Sequence, residues 1–173
     1  MRIIGITGWS GAGKTTLILK LVSLFSSEGL KVSTLKHAHH MFDVDTPGKD
    51  SYEHRAAGAT EVLIASENRF ALMHELRGGP EPPLELLLGK LSAVDLVLIE
   101  GFKRAPHPKI EVFRAANAKP PLHPGNASIV AIASDTPFPA AECPVLDLDG
   151  TKAIAALALA QARAISAIDW RRG

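Results

Sequence analysis

Between the apolar run Ile3-Ile4-Gly5-Ile6 and the helix-forming run Thr16-Leu17-Ile18-Leu19, the chain places Gly8-Trp9-Ser10-Gly11-Ala12-Gly13-Lys14-Thr15. That spacing of glycines, closed by a lysine and a threonine, is the pattern of a phosphate-binding loop, or P-loop. It works only with a strand before it and a helix after it. Glycines tolerate positive φ, so successive N–H groups can turn toward one anion, and the helix N-terminus adds its partial positive charge. Gly8, Gly11, Ala12 and Gly13 form the candidate phosphate cradle. Lys14 offers a point charge for the β and γ phosphates, and the Thr15 hydroxyl is placed to ligate Mg²⁺.

This motif commits the chain to an α/β design, and composition narrows the rest. A chain of 173 residues suits one domain that buries about two thirds of its unfolded surface. Nineteen basic residues against eighteen acidic ones give a net charge of +1. That balance argues against nucleic acid or an anionic membrane as a whole-surface partner, so anion recognition must be local. A lone cysteine, Cys143, rules out an internal disulfide framework and suits a reducing compartment. Without a secretory signal pattern or a membrane-length apolar run, a cytoplasmic location is expected.

Hydrophobic patterning orders the elements. Arg2 to Thr7 reads as a buried parallel strand and Thr15 to Ser27 as a helix with Leu17, Leu21, Leu24 and Phe25 on one face. Lys31 to Lys36 completes a right-handed strand, helix, strand crossover. The stretch from residue 37 to 83 is an insertion of loop and hairpin within a single domain of residues 1–173. Ser51 is placed to cap a short helix through Ala57. Thr60 to Ala65 and Arg69 to Leu76 then predict an antiparallel hairpin. An apolar hairpin of this kind either pairs with a second copy of the chain or extends the edge of the main sheet.

Leu84 to Leu91 reads as a short helix and Asp95 to Gly101 as a buried strand ending in a carboxylate. A strand-end acid in such a sheet holds Mg²⁺ directly or through water, which makes Glu100 a candidate metal partner beside Thr15. Lys103 and Arg104 follow at once, two cations beside the phosphate site. Ile110 to Phe113 and Ser128 to Ala133 read as further strands, and Thr151 to Ile168 as a closing alanine-rich helix. After the strand ending at Ala133 comes Ser134-Asp135-Thr136-Pro137. Asp135 could accept the ring N–H and exocyclic amino N–H of guanine, a donor pair that adenine lacks; ordinary turn chemistry explains the same residues.

Four runs stand in order: the P-loop through Thr16, Lys36-His37-Ala38-His39-His40, Asp43-Val44-Asp45-Thr46-Pro47-Gly48-Lys49-Asp50-Ser51, and Ile99-Glu100-Gly101-Phe102-Lys103. Together they resemble the molybdopterin-guanine dinucleotide biosynthesis adaptor protein B family over about residues 1 to 115. The resemblance implies a P-loop NTPase fold: a mainly parallel sheet flanked by helices, with the inserted antiparallel hairpin. It also implies a homodimer that binds GTP and Mg²⁺ and assists the guanylyltransferase joining GMP to molybdopterin, with at most slow hydrolysis and with molybdopterin itself a candidate ligand. Carried onto this chain, Gly11, Gly13, Lys14, Thr15 and Thr16 hold phosphates and Mg²⁺, and Glu100 is the acidic metal partner. Asp135 departs from the Asn-Lys-x-Asp pattern of GTPases, retaining only the aspartate.

Other readings compete. His37, His39 and His40 with Asp43 and Asp45 outline a transition-metal site of the kind a nickel-insertion GTPase would carry, although His39 and His40 point apart on an extended backbone. A small-molecule kinase would use the same loop with Asp43, Asp45 or Asp50 as base. In a non-enzymatic reading the nucleotide is only a conformational ligand for partner docking.

Overall fold

The computed structural model describes residues 1–38 and 42–172. The chain divides into two compact units: residues 1–37 with 84–173, and residues 38–83. The larger unit holds β1 (Arg2–Thr7), α1 (Lys14–Ser27), β2 (Val32–Lys36) and, after the smaller unit, α3 (Leu84–Leu88), β5 (Leu96–Glu100), β6 (Lys109–Phe113), β7 (Ile129–Ser134), β8 (Val145–Asp147), α4 (Thr151–Gln161) and β9 (Arg163–Ala164). The smaller unit holds α2 (Asp50–Ala56), β3 (Glu61–Ala65) and β4 (Phe70–His74).

Six strands pair in parallel in the order β2-β5-β1-β6-β7-β8, with β9 antiparallel to the start of β1. The central strands are apolar on both faces because both faces are covered. Helices α1 and α4 lie on one face, where Leu17, Leu21, Phe25, Ile154 and Ala158 meet Ile4, Ile6, Leu96, Leu98 and Ile110. On the other, Leu84 and Leu88 of α3 cover Ile3, Val97 and Ile99, joined by Ile165, Ile168 and Trp170 near the C-terminus. Each fully buried Leu, Ile or Phe here contributes about 1.5–3 kcal/mol. Because all six parallel strands point the same way, the loops after β1, β5, β6 and β7 gather at one edge, where open α/β sheets bind ligands.

Three local expectations are corrected. The closing helix stops at Gln161 rather than Ile168: Ala162 turns extended, and residues 163–164 pair with Arg2 and Ile3 of β1. That ladder offers hydrogen bonds that override the helix propensity of the alanines. In the smaller unit, β3 and β4 form their own two-stranded sheet and do not extend the edge of the main one. Ser51 does not cap α2, whose cap position is Lys49; its hydroxyl donates instead to Asp45 Oδ1 at 2.9 Å. The strand β8 was not foreseen.

Candidate nucleotide-binding site

The loop between β1 and α1 is fixed from both ends. Gly8, at φ 143°, passes so close to β6 that a Cβ there would lie 2.4 Å from the Val112 carbonyl oxygen. No other residue fits that contact. Within the loop the Trp9 carbonyl accepts both the Ala12 N–H (3.2 Å) and Lys14 Nζ (2.8 Å), which folds the turn and holds the ammonium over it. Gly13 adopts φ 101° as the cap of α1. Thr15 and Thr16, in the first turn of the helix, are exposed, whereas Ala12 is buried.

Glu100 ends β5 beside β1, and its carboxylate meets the Thr15 hydroxyl, which lies 3.2 Å from Oε1 and 3.3 Å from Oε2. Lys36, at the end of β2, stands 3.5 Å from Oε1. Partial burial holds the Lys14 ammonium below the ordinary lysine value, with Lys103 and Lys36 pushing the same way and Glu100 opposing them. A hydroxyl and a carboxylate within hydrogen-bond reach of each other suit a hard cation such as Mg²⁺, which takes one or two protein oxygens and completes its octahedron with water and phosphate. These two residues, predicted separately from strand and loop patterns, therefore converge.

The turn after Glu100 is forced. A Cβ on Gly101 (φ 94°) would come 2.9 Å from His37 Cβ, and Phe102 itself has φ 45°. The Phe102 ring stacks on the His37 imidazole with centroids 4.6 Å apart, and Lys103 Nζ lies 4.1 Å above the Trp9 ring. Lys103 thus faces the loop.

On the other side of β1, the segment after β6 straps the outside of the loop. Asn117 Nδ2 donates to the Ser10 carbonyl at 3.1 Å, and Trp9 Nε1 donates to the Pro120 carbonyl at 2.7 Å. Glu111, fully buried in β6, anchors the far end by accepting the N–H groups of Leu122 (2.6 Å) and His123 (2.8 Å). Sequence reasoning missed Asn117, Glu111 and Trp9, because nothing in their spacing announces that a proline-containing loop folds back on the P-loop.

Asp135 follows β7 and lines a cleft of about 570 Å³ with Ser134, Thr136, Phe138 and Leu146. Its Oδ1 accepts the Ala115 N–H at 2.9 Å, and Arg114 Nη1 lies 3.9 Å from Oδ2. The local turn is closed without it: the Thr136 N–H donates to Ser134 Oγ at 3.0 Å. The carboxylate therefore joins two strand ends rather than capping its own turn.

In the smaller unit, Asp43 and Asp45 surround Arg55. The guanidinium donates to Asp43 at 2.9 and 3.0 Å, stands 3.4 Å from Asp45 Oδ2 and donates to Glu75 at 2.9 Å. Hydrogen bonds from the Asp45 backbone and from Arg55 hold the Asp43 carboxyl below the ordinary aspartate value. Both aspartates are thus engaged in tying the run 43–51 to Arg55 of α2. His39 and His40 lie outside the described residues. Among the described residues no group of three or more His, Cys, Asp or Glu is placed to hold a metal ion, and no helix is long and apolar enough to cross a membrane.

A parallel sheet carrying a glycine-rich loop, its lysine and a strand-end carboxylate defines an α/β protein of the P-loop NTPase fold. Residues 3–135 match the family model of molybdopterin guanine dinucleotide synthesis protein B, and the chain belongs to that family. The molybdopterin-guanine dinucleotide biosynthesis adapter protein of Escherichia coli (strain K12) is 42% identical over 139 residues, 79% of each chain. The protein of the same name from Haemophilus influenzae is 40% identical over 79% of this chain and 76% of its own. The crystal structure of Bacillus subtilis MobB superposes with a TM-score of 0.72 at 26% identity, covering 94% of this chain and 99% of that one. A crystal structure of molybdopterin-guanine biosynthesis protein B gives 0.71 at 27% identity, covering 91% and 98%.

Proposed function

We propose that this chain is a cytoplasmic, GTP-binding adaptor of molybdenum cofactor biosynthesis, which assists the guanylyltransferase that attaches GMP to molybdopterin. The observation that carries the nucleotide part is the meeting of Thr15 and Glu100 beside Lys14. In this reading Gly8, Gly11, Ala12, Gly13, Lys14, Thr15 and Thr16 hold the phosphates, Thr15 and Glu100 hold Mg²⁺, and Asp135 receives the base in the cleft after β7. The adaptor part is supported by membership of the family and by the printed names of the relatives. Hydrolysis is auxiliary, at most a slow Mg²⁺-dependent GTPase activity, and molybdopterin itself is a candidate ligand. The kinase alternative finds Asp43 and Asp45 already engaged by Arg55, so it gains no support there.

Thermal shift with GTP, ATP and their diphosphates, each with and without Mg²⁺, tests the reading. A ligand at a hundred times its Kd adds about 2.7 kcal/mol of stability. GTP with Mg²⁺ should give the largest shift, and Asp135→Ala should bring GTP and ATP close together, because a site that accepts a donor pair rejects the analogue lacking it. A wild-type preference for ATP would remove the guanylyl reading. In the guanylyltransferase assay, adding this chain with GTP should raise the yield of dinucleotide; an unchanged yield would remove the adaptor role.

A further inference from the structure

Arg114 directly follows β6, so it leaves the sheet between β1, which feeds the P-loop, and β7, which Asp135 follows. Its guanidinium lies over the start of α1, with Nη2 3.6 Å from where a Cβ on Gly13 would sit. The carboxylate beside it, Asp135 Oδ2, is 3.9 Å from Nη1, a long ion pair outside hydrogen-bond reach. The other oxygen of Asp135 is occupied by the Ala115 N–H. At the positive end of a helix, one residue before Lys14, this long and half-exposed ion pair offsets the local positive charge only in part, which leaves the guanidinium fork open to a further anion.

Resting on the nucleotide reading above, we infer that Arg114 is a nucleotide-binding residue whose guanidinium pairs with the α-phosphate. Strand order selects that phosphate. Along the edge of the sheet, Glu100 (β5), Lys14 and Thr15 (after β1), Arg114 (after β6) and Asp135 (after β7) follow one another. A nucleotide laid along the same edge has its metal at Glu100, its β and γ phosphates at the loop and its base at Asp135. The α-phosphate falls opposite Arg114. The planar fork of arginine suits two oxygens of one phosphate, which a lysine point charge does not reproduce.

The test is titration of GTP, GDP and ATP with Mg²⁺ against wild type, Arg114→Gln, Arg114→Lys and Lys14→Ala, with circular dichroism and a ligand-free melt of each. A charge-assisted contact predicts that Arg114→Gln weakens GTP and GDP by the same factor, about ten- to a hundredfold, with the GTP-to-ATP ratio unchanged. Arg114→Lys should fall between. Unchanged affinity for both nucleotides overturns the assignment. A loss confined to GTP would move the contact to the γ phosphate, and a changed GTP-to-ATP ratio would mean that Arg114 acts through Asp135; either result overturns it too. If Lys14→Ala loses binding while Arg114→Gln does not, the nucleotide site stands and only this inference falls. No binding by wild type overturns both.

Discussion

Glu100 is placed by backbone as much as by its own chemistry. The apolar residues 96–99 bury β5, the glycine at 101 turns the chain against His37, and the carboxylate is left at the loop with Thr15 and Lys36 as neighbours. In the proposed nucleotide reading its carboxylate holds Mg²⁺, for which a neutral amide is a poor ligand. Glu100→Gln should therefore leave GTP affinity in EDTA close to wild type and remove most of the increment that Mg²⁺ adds, as measured by titration with and without the metal. An increment equal to that of wild type would make Glu100 a structural residue.

At the scale of elements, what could be read from sequence follows from where each segment's stability originates. Strands β1 and β5 and helix α1 were legible because their own side chains dictate period and burial. The stop of α4 at Gln161 was not, since it depends on the β9 pairing with a distant strand. The glycine-rich loop after β1 and the carboxylate that meets Thr15 were legible for the same local reasons, whereas the strap from Arg114 to His123 is held by non-local hydrogen bonds to Ser10, Trp9 and Glu111. The hairpin was read correctly as two strands. Its cross-strand register pairs Val62 with Met73 and Leu63 with Leu72. Val62 and Met73 are buried, while Leu63, Phe70 and Leu72 are 62%, 73% and 49% exposed. Those three fall on the opposite face of the ribbon, since side chains alternate along a strand. An exposed apolar face of this kind suits association with a second copy. We predict a homodimer joined through it: Leu63→Lys with Phe70→Lys should lower the sedimentation coefficient to that of a monomer while preserving the circular dichroism spectrum. A wild type that sediments as a monomer at micromolar concentration would defeat this prediction.

At the scale of the whole molecule, the centre of the main sheet carries an internal cost. His107 and Lys109 are fully buried on either side of a proline, against the middle of β1. Gly5 makes the room: a Cβ there would come 2.5 Å from His107 Nε2 and 2.7 Å from Lys109 Cγ. Lys109 Nζ is satisfied, donating to the carbonyls of Ala105 and His107 and to Ser128 Oγ. Neither ring nitrogen of His107 has a hydrogen-bond partner among the described residues. Burial, with the Lys109 charge beside it, pushes the imidazole down to about 3. Its unfolded value is about 6.5. Above that value the ring is neutral in both states, so its titration adds no pH-dependent penalty. As pH falls below it, the unfolded chain takes up a proton that the folded chain refuses, so stability drops by about 1.4 kcal/mol per pH unit until the folded value is approached. His107→Gln removes this titration while leaving every other group in place. The stability of wild type relative to that variant, from urea unfolding, should therefore fall by about 2 kcal/mol between pH 7 and pH 5. A pH-independent difference would mean that His107 is protonated as readily in the folded chain as in the unfolded one, and that the mid-sheet glycine accommodates a polar group with a partner of its own.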